Sequence, residues 1–260
     1  MSVYQSPAAI IAEFQITQPS EIDIEAIAQS RGATIVYEPL RGCAARILGN
    51  GDQGIITVDE GLNIGRRRFS AAHEFGHWMR DRQKIRFSCT EHAMQVGWGT
   101  INAEQGANQY AADLLMPVAL FGPAAKNRPL TFDSVSDLST LFRTSLTATA
   151  IQLLRHGSFP GMLIYIVDGK RKWFIRGEDV PDSLWPHEIP RPATSAADLI
   201  RGISNTVGAG PVQADGWIDH PRSRWYEVIE HSIRTSKSSI LTMLWWKNER
   251  QLLDLSEEDG

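Results

Sequence analysis

The stretch RRRFSAAHEFGHWMRD, residues 66–81, leaves the chain little conformational choice. Phe69, Ala72, Phe75 and Met79 recur at helical spacing, so the segment reads as a helix with much of its surface buried. His73 and His77 are four residues apart, which on a helix places them about 40° apart around the axis and one turn apart along it. Two imidazoles so placed can meet one cation. Zn²⁺ takes neutral imidazole nitrogens at ~2.0–2.1 Å, and a catalytic zinc site uses three protein ligands and keeps a fourth position for water. Glu74, next to His73, has the place of a general base at that open position, where it would take the proton of a water made acidic by the metal. An HExxH alone also occurs on helices that bind nothing, as two solvated histidines. Gly76 weighs against that reading. A glycine inside a helix costs about 1 kcal/mol relative to alanine, a sacrifice easier to understand where a second helix or a metal comes close.

A chain of 260 residues can bury a core without metal or disulfide staples, so a metal here is expected to be functional. With 22% charged residues and a formal charge of −4, composition gives no global argument for a nucleic-acid or membrane surface. Cys43 and Cys89 form no CxxC pair and read as buried or idle thiols in a reducing cytosol. The opening MSVYQSPAAIIAEF lacks a basic region ahead of its short apolar run. The longest apolar runs, GMLIYIV and SILTMLWW, fall well short of the ~18 residues of a membrane span. The expected location is the cytoplasm.

Along the chain, residues 20–32 read as a short helix begun by a Ser20 cap and ended at Gly32. ATIVYEPL reads as a strand, and AARILGNGDQGIITVD as a hairpin turned at residues 49–52. After the HExxH helix come a polar loop, about 83–100, and the helix NAEQGANQYAADLLM stopped by Pro117. SVSDLSTLFRTSLTATAIQLLRHG has two helical segments separated by RTS, with helix-turn-helix spacing. From residue 158 the character changes. GMLIYIVDGKRKWFIRG reads as a hairpin turned at Asp168 and Gly169, prolines interrupt residues 181–192, SAADLIRGISN and WYEVIEHSI read as helices, and SSILTMLWW as a strand. The expected fold class is α+β in three pieces: residues 1–124 around the HExxH helix, a helical middle over 125–157, and a smaller C-terminal α/β domain over 158–260. Trp225, Trp245 and Trp246 in that tail read as core.

The third ligand has three candidates, Glu91, His92 and Glu104. A glycine at 80 and a histidine at 83 would make the site a metzincin, but Arg80 and Gln83 stand there. Glu104 opens a helix, and Asn108 follows one turn later on the same face, where its amide can hold a metal-bound histidine by the second ring N–H. Glu91 and His92 lie in a loop without that support, so Glu104 is favoured. GIITVDEG, just ahead of the HExxH helix, has two open readings: an edge strand able to take an extended peptide, or an interior strand.

RFSAAHEFGH followed by EQGANQYAADLLMP resembles the ImmA/IrrE family of intracellular zinc metallopeptidases. The paired motifs are far more specific than HExxH alone, and the similarity runs over about residues 8–157. The resemblance implies a zincin-like metallopeptidase domain, with zinc on His73, His77 and Glu104 and with Glu74 as base. It implies as partner and substrate a helix-turn-helix repressor, whose cleavage switches on stress, prophage or mobile-element genes. It implies no match for the tail, beyond a sensor domain carried there by one branch of the family.

Two rival classes remain. A DNA-binding regulator would use the helical middle, yet residues 147–156 offer one arginine, one glutamine and one histidine, too few groups for phosphate and base contacts; DNA binding is therefore disfavoured. Arg143, Lys170, Arg171 and Lys172 are the cations from which a local basic patch could still form. A zinc scaffold that sequesters its partner would not need Glu74, which favours the enzyme.

Overall fold

The structure, a computed structural model, describes residues 4–81, 103–204 and 208–256 of the chain. It is a mixed α+β protein that divides into two compact units, residues 1–124 with 138–149 and residues 125–137 with 150–260.

The first unit begins with α1 (Pro7–Glu13), capped by the Ser6 hydroxyl, which accepts the Ala9 N–H, and led by Pro7 in the first turn. The next helix, α2 (Ile24–Ser30), starts later than expected. Its cap is Asp23, which accepts the Ala26 N–H at 3.0 Å, and not Ser20. Glu21 explains the shift: its carboxylate accepts the N–H groups of Thr17 at 2.7 Å and Gln18 at 3.0 Å, closing residues 17–21 into a turn of their own.

Strands β1 (Ala33–Glu38), β2 (Ala45–Asn50) and β3 (Gln53–Asp59) form a sheet of order β1-β3-β2, with β1 parallel and β2 antiparallel to β3. The hairpin turns at Gly51, whose φ of 61° suits glycine. GIITVDEG is thus an interior strand, paired on both sides. Among the described residues β1 and β2 are the two edges of this sheet, and on β2 Leu48 stands opposite Ile55. Both of these side chains are exposed.

The inner face of this sheet, with Ala33, Ala45, Ile47, Ile56 and Val58, shares one core with Phe75 and Trp78 of α3 (Ile64–Asp81). Asn63 caps that helix through the Arg66 N–H at 3.0 Å. Trp78 is fully buried because the sheet leaves it room: a Cβ on Gly49 or Gly54 would stand 2.9 Å from its ring. Its indole N–H donates to the Arg31 carbonyl at 2.9 Å. Truncating an aromatic side chain so enclosed costs about 3–5 kcal/mol.

Helix α4 (Ala103–Leu115) packs along α3 at Gly76, where a Cβ would come within 3.1 Å of the Ala107 carbonyl oxygen and of Tyr110 Cβ. The glycine inside the HExxH segment therefore serves the approach of a second helix. Helices α5 (Val118–Ala125), α6 (Phe132–Phe142) and α7 (Leu146–His156) follow. The turn between α6 and α7 passes through Arg143, at a φ of 54°. Thr144 and Thr149 bond through their hydroxyls at 2.8 Å at the start of α7.

In the second unit, β4 (Gly161–Val167) and β5 (Lys170–Arg176) form the expected hairpin, turned at Asp168 and Gly169. With β6 (Gly210–Gln213), β7 (Glu227–Arg234) and β8 (Ser239–Trp245) they make an antiparallel sheet of order β5-β4-β8-β7-β6. β7 corrects the sequence reading of WYEVIEHSI as a helix. Its Val228, Ile229 and Ile233 suit a pleated surface, and ladders on both sides override the local helical spacing. Buried Glu230 on β7 accepts the N–H groups of Ser195 at 2.9 Å and Ala196 at 2.8 Å, at the start of α8 (Ser195–Arg201). Helix α9 (Arg250–Ser256) ends the described chain. Trp245 and Trp246 are core residues as expected, but Trp225 is 69% exposed. Among the described residues no helix is long and apolar enough to cross a membrane.

Candidate metal centre

Helices α3 and α4 bring together the residues that carry the HExxH argument. His73 and Glu74 are fully buried, His77 nearly so, and Glu104, in the first turn of α4, is half-buried. The rings of His73 and His77 meet edge to face with centroids 4.8 Å apart. Nε2 of His73 lies 3.3 Å from Glu104 Oε2, and Nε2 of His77 lies 3.3 Å from Glu104 Oε1. The two imidazoles, His73 foremost, hold the Glu104 carboxyl well below the usual carboxylate range.

Asn108, buried one turn beyond Glu104, fixes the first imidazole. Its Oδ1 is 2.9 Å from His73 Nδ1, and an amide oxygen can only accept, so Nδ1 carries the proton. With Nδ1 engaged by Asn108, the nitrogen that His73 can offer a metal is Nε2, the atom facing Glu104 Oε2 at 3.3 Å. Replacing Asn108 with leucine is expected to weaken metal binding by about 10–100-fold, as removal of an outer hydrogen bond to a ligand does. Asn108→Asp, which keeps an acceptor, is expected to lose much less. Competition against a chromophoric chelator measures both, and unchanged affinity in Asn108→Leu would refute the positioning role.

The group passes a simple test of fit to a metal. One ligand atom from each of His73, His77 and Glu104 can be chosen so that all lie within 4.8 Å of one another, and among the described residues no other such group occurs. Each imidazole nitrogen lies 3.3 Å from one oxygen of the Glu104 carboxylate, His73 from Oε2 and His77 from Oε1, which puts all three side chains within reach of one ion. Two imidazoles and a carboxylate are a borderline donor set, suited to zinc.

Of the candidates for a third ligand, Glu104 is beside the histidines; Glu91 and His92 lie outside the described residues. Two arginines have structural roles that the sequence reading did not assign. Arg68 is almost fully buried, and its guanidinium donates to the Ile22 carbonyl at 2.9 Å, tying α3 to the chain ahead of α2. Arg80 follows His77 by three residues, and its guanidinium covers Gly106 in the first turn of α4: a Cβ on that glycine would fall 1.6 Å from Arg80 Nη1. The only signal for it was the glycine two residues after Glu104.

Residues 28–154 match the model of a peptidase family described as the IrrE N-terminal-like domain. No curated protein matches the chain. Among solved structures it is similar to a Mycobacterium tuberculosis transcriptional regulator, at 14% identity and a TM-score of 0.57, over 98% of this chain and 90% of that one. At that identity the likeness is one of fold.

Proposed function

From the premise that the domain over residues 28–154 belongs to the ImmA/IrrE family, we propose that the protein is a zinc-dependent endopeptidase of zincin-like fold. Its substrate is a specific protein, a helix-turn-helix repressor whose cleavage in the cytoplasm frees stress, prophage or mobile-element genes. The observation that carries this reading is the convergence of His73, His77 and Glu104 on one point, beside a buried Glu74.

Zinc bound there would supply Lewis acidity, making a water more acidic and polarising the scissile carbonyl. The chain's own groups do the rest. Glu74 takes the water's proton on a carboxylate oxygen as the C–O bond forms, and returns it to the amide nitrogen as the C–N bond breaks. Its burial keeps bulk water from competing for that proton. Asn108 holds His73 in the tautomer that leaves Nε2 available.

Substrate choice rests on docking away from the scissile bond. The unpaired edge of β2 can take an extended segment as a further strand, with the exposed Leu48 and Ile55 beside it. The helices α6 and α7, with their helix-turn-helix spacing, act as the second docking surface. Two weak contacts joined in one partner raise avidity by ~10²–10⁴ without strong subsites. The test is incubation of the zinc-loaded protein with the helix-turn-helix protein encoded beside it, followed by mass spectrometry. Cleavage at one or a few bonds, with unstructured casein left nearly intact, is the expected result. Rapid digestion of casein at many sites would refute the docking argument, and resistance of the repressor would refute the substrate.

A further inference from the structure

The strand KRKWFIR, β5, gathers cations and aromatics in the second unit. Simple alternation would put Phe174 and Arg176 on one face and Arg171 on the other. The pairing with β4 does not alternate simply. Arg176 stands opposite Met162 and Phe174 opposite Ile164, but the register then shifts, and Arg171 stands opposite Ile166. Met162, Ile164 and Ile166 share one face of β4. The bulge, with exposed Lys172 as its extra residue, therefore turns Arg171 onto the face of Phe174 and Arg176.

Trp185 completes the cluster from outside the strand. Its ring meets Phe174 edge to face at 5.2 Å. The Arg171 guanidinium lies 4.9 Å from the Phe174 centroid and 5.9 Å from that of Trp185, and the Arg176 guanidinium lies 5.2 Å from each. The backbone around Trp185 is pinned on both sides. Arg171 N–H donates to the Glu188 carbonyl at 2.7 Å, His187 N–H to that of Trp217 at 2.6 Å, and Asp219 N–H to that of Trp185 at 3.1 Å. Even so, Trp185 is 52% exposed. A large ring held on fixed backbone and open to solvent is a preorganised stacking platform.

The two arginines are not equivalent. Arg176 is committed, its Nη1 donating to the Asp182 carbonyl at 2.7 Å and carboxylate at 2.8 Å. The Arg171 side chain makes no hydrogen bond or ion pair among the described residues, and its Nε is buried without an acceptor. The nearby Glu188 carboxylate has its ion pair with Lys170, at 3.8 Å. A guanidinium with unused donors, beside an open aromatic ring, calls for a ligand that offers an anion and a π-face together.

We propose that Trp185 and Arg171 form a nucleotide-binding site. The base stacks on the exposed Trp185 ring and the phosphate pairs with the Arg171 guanidinium. A carboxylate side chain would meet the arginine but leave the ring bare, and duplex DNA keeps its bases stacked on one another. The nucleotide is either free or a unit of a single strand.

The test uses the full-length protein and two probes: a fluorescein-labelled oligothymidylate of about 15 nucleotides, followed by anisotropy at low salt, and adenosine monophosphate as its competitor. Saturable binding is expected, weakened about tenfold or more by Trp185→Ala and by Arg171→Gln, and largely kept by Trp185→Phe. Displacement by the mononucleotide would identify a free nucleotide as the source, and its failure to displace would identify a single strand; either supports the site. Because Trp185 and Arg171 are separate replacements, failure of one variant to fold leaves the other to decide. No binding of either probe by the wild-type protein, or binding by either folded variant equal to wild type, would overturn the proposal.

Discussion

Replacing Glu74 with glutamine is expected to lower kcat/KM for the cleaved repressor by about 10²–10⁴, the usual contribution of a positioned general base. Zinc content and folding should survive the change. Glutamine has nearly the volume of glutamate, so the fully buried site opens no cavity. The buried position also loses an ionisable carboxyl, whose desolvation is a cost in the folded state. What the amide cannot do is accept a proton from water. Metal analysis and thermal melting accompany the kinetics, because they separate two ways of being wrong. Full activity in Glu74→Gln would remove this residue from the proton path, and loss of zinc would make it a ligand instead of a base.

The centre was legible in the sequence because its geometry is local. One helix sets the angle between His73 and His77, and one turn of another sets Asn108 behind Glu104, so residue spacing carries most of the information. Gly76 was legible as a sign of close approach, although only the packing against Ala107 and Tyr110 decides for a helix as the neighbour. Ladder partners are another matter. GIITVDEG reads the same as an edge or as an interior strand, since its position depends on β1, which precedes it by a hairpin and pairs with it in parallel. WYEVIEHSI has apolar residues at spacings compatible with a helix, and becomes a strand through β6 and β8, far from it in local pattern. Trp225 has the composition of a core residue and is exposed, while Arg68 has that of a surface residue and is buried. In both cases burial is settled by neighbours that no window of the sequence contains.

Alanine at Glu104 or at His77 is expected to weaken zinc binding by more than about 100-fold, since even the outer hydrogen bonds of such sites are worth ~10–100-fold. The same replacements should uncouple folding from metal. A ligand that binds only the native state stabilises it by about 4 kcal/mol at 1,000 times its Kd, which corresponds to roughly 8–16 °C in the melting temperature of a unit of about 150 residues. Stripping zinc from the wild-type protein with a chelator should therefore lower the melting temperature by that order, whereas chelator should leave Glu104→Ala almost unmoved. This comparison is more telling than the melting temperature of the variant alone. Losing the carboxylate alters the apo site as well, because Glu104 is then no longer 3.3 Å from both imidazoles and His73 keeps only Asn108. The response to chelator cancels that change and isolates the metal's share. Glu91→Ala and His92→Ala should bind zinc and respond to chelator as the wild type does. A Glu91→Ala protein that no longer responds to chelator, beside a Glu104→Ala protein that still does, would move the third ligand off α4. The pairing of Asn108 with His73 would then serve a site completed from elsewhere in the chain.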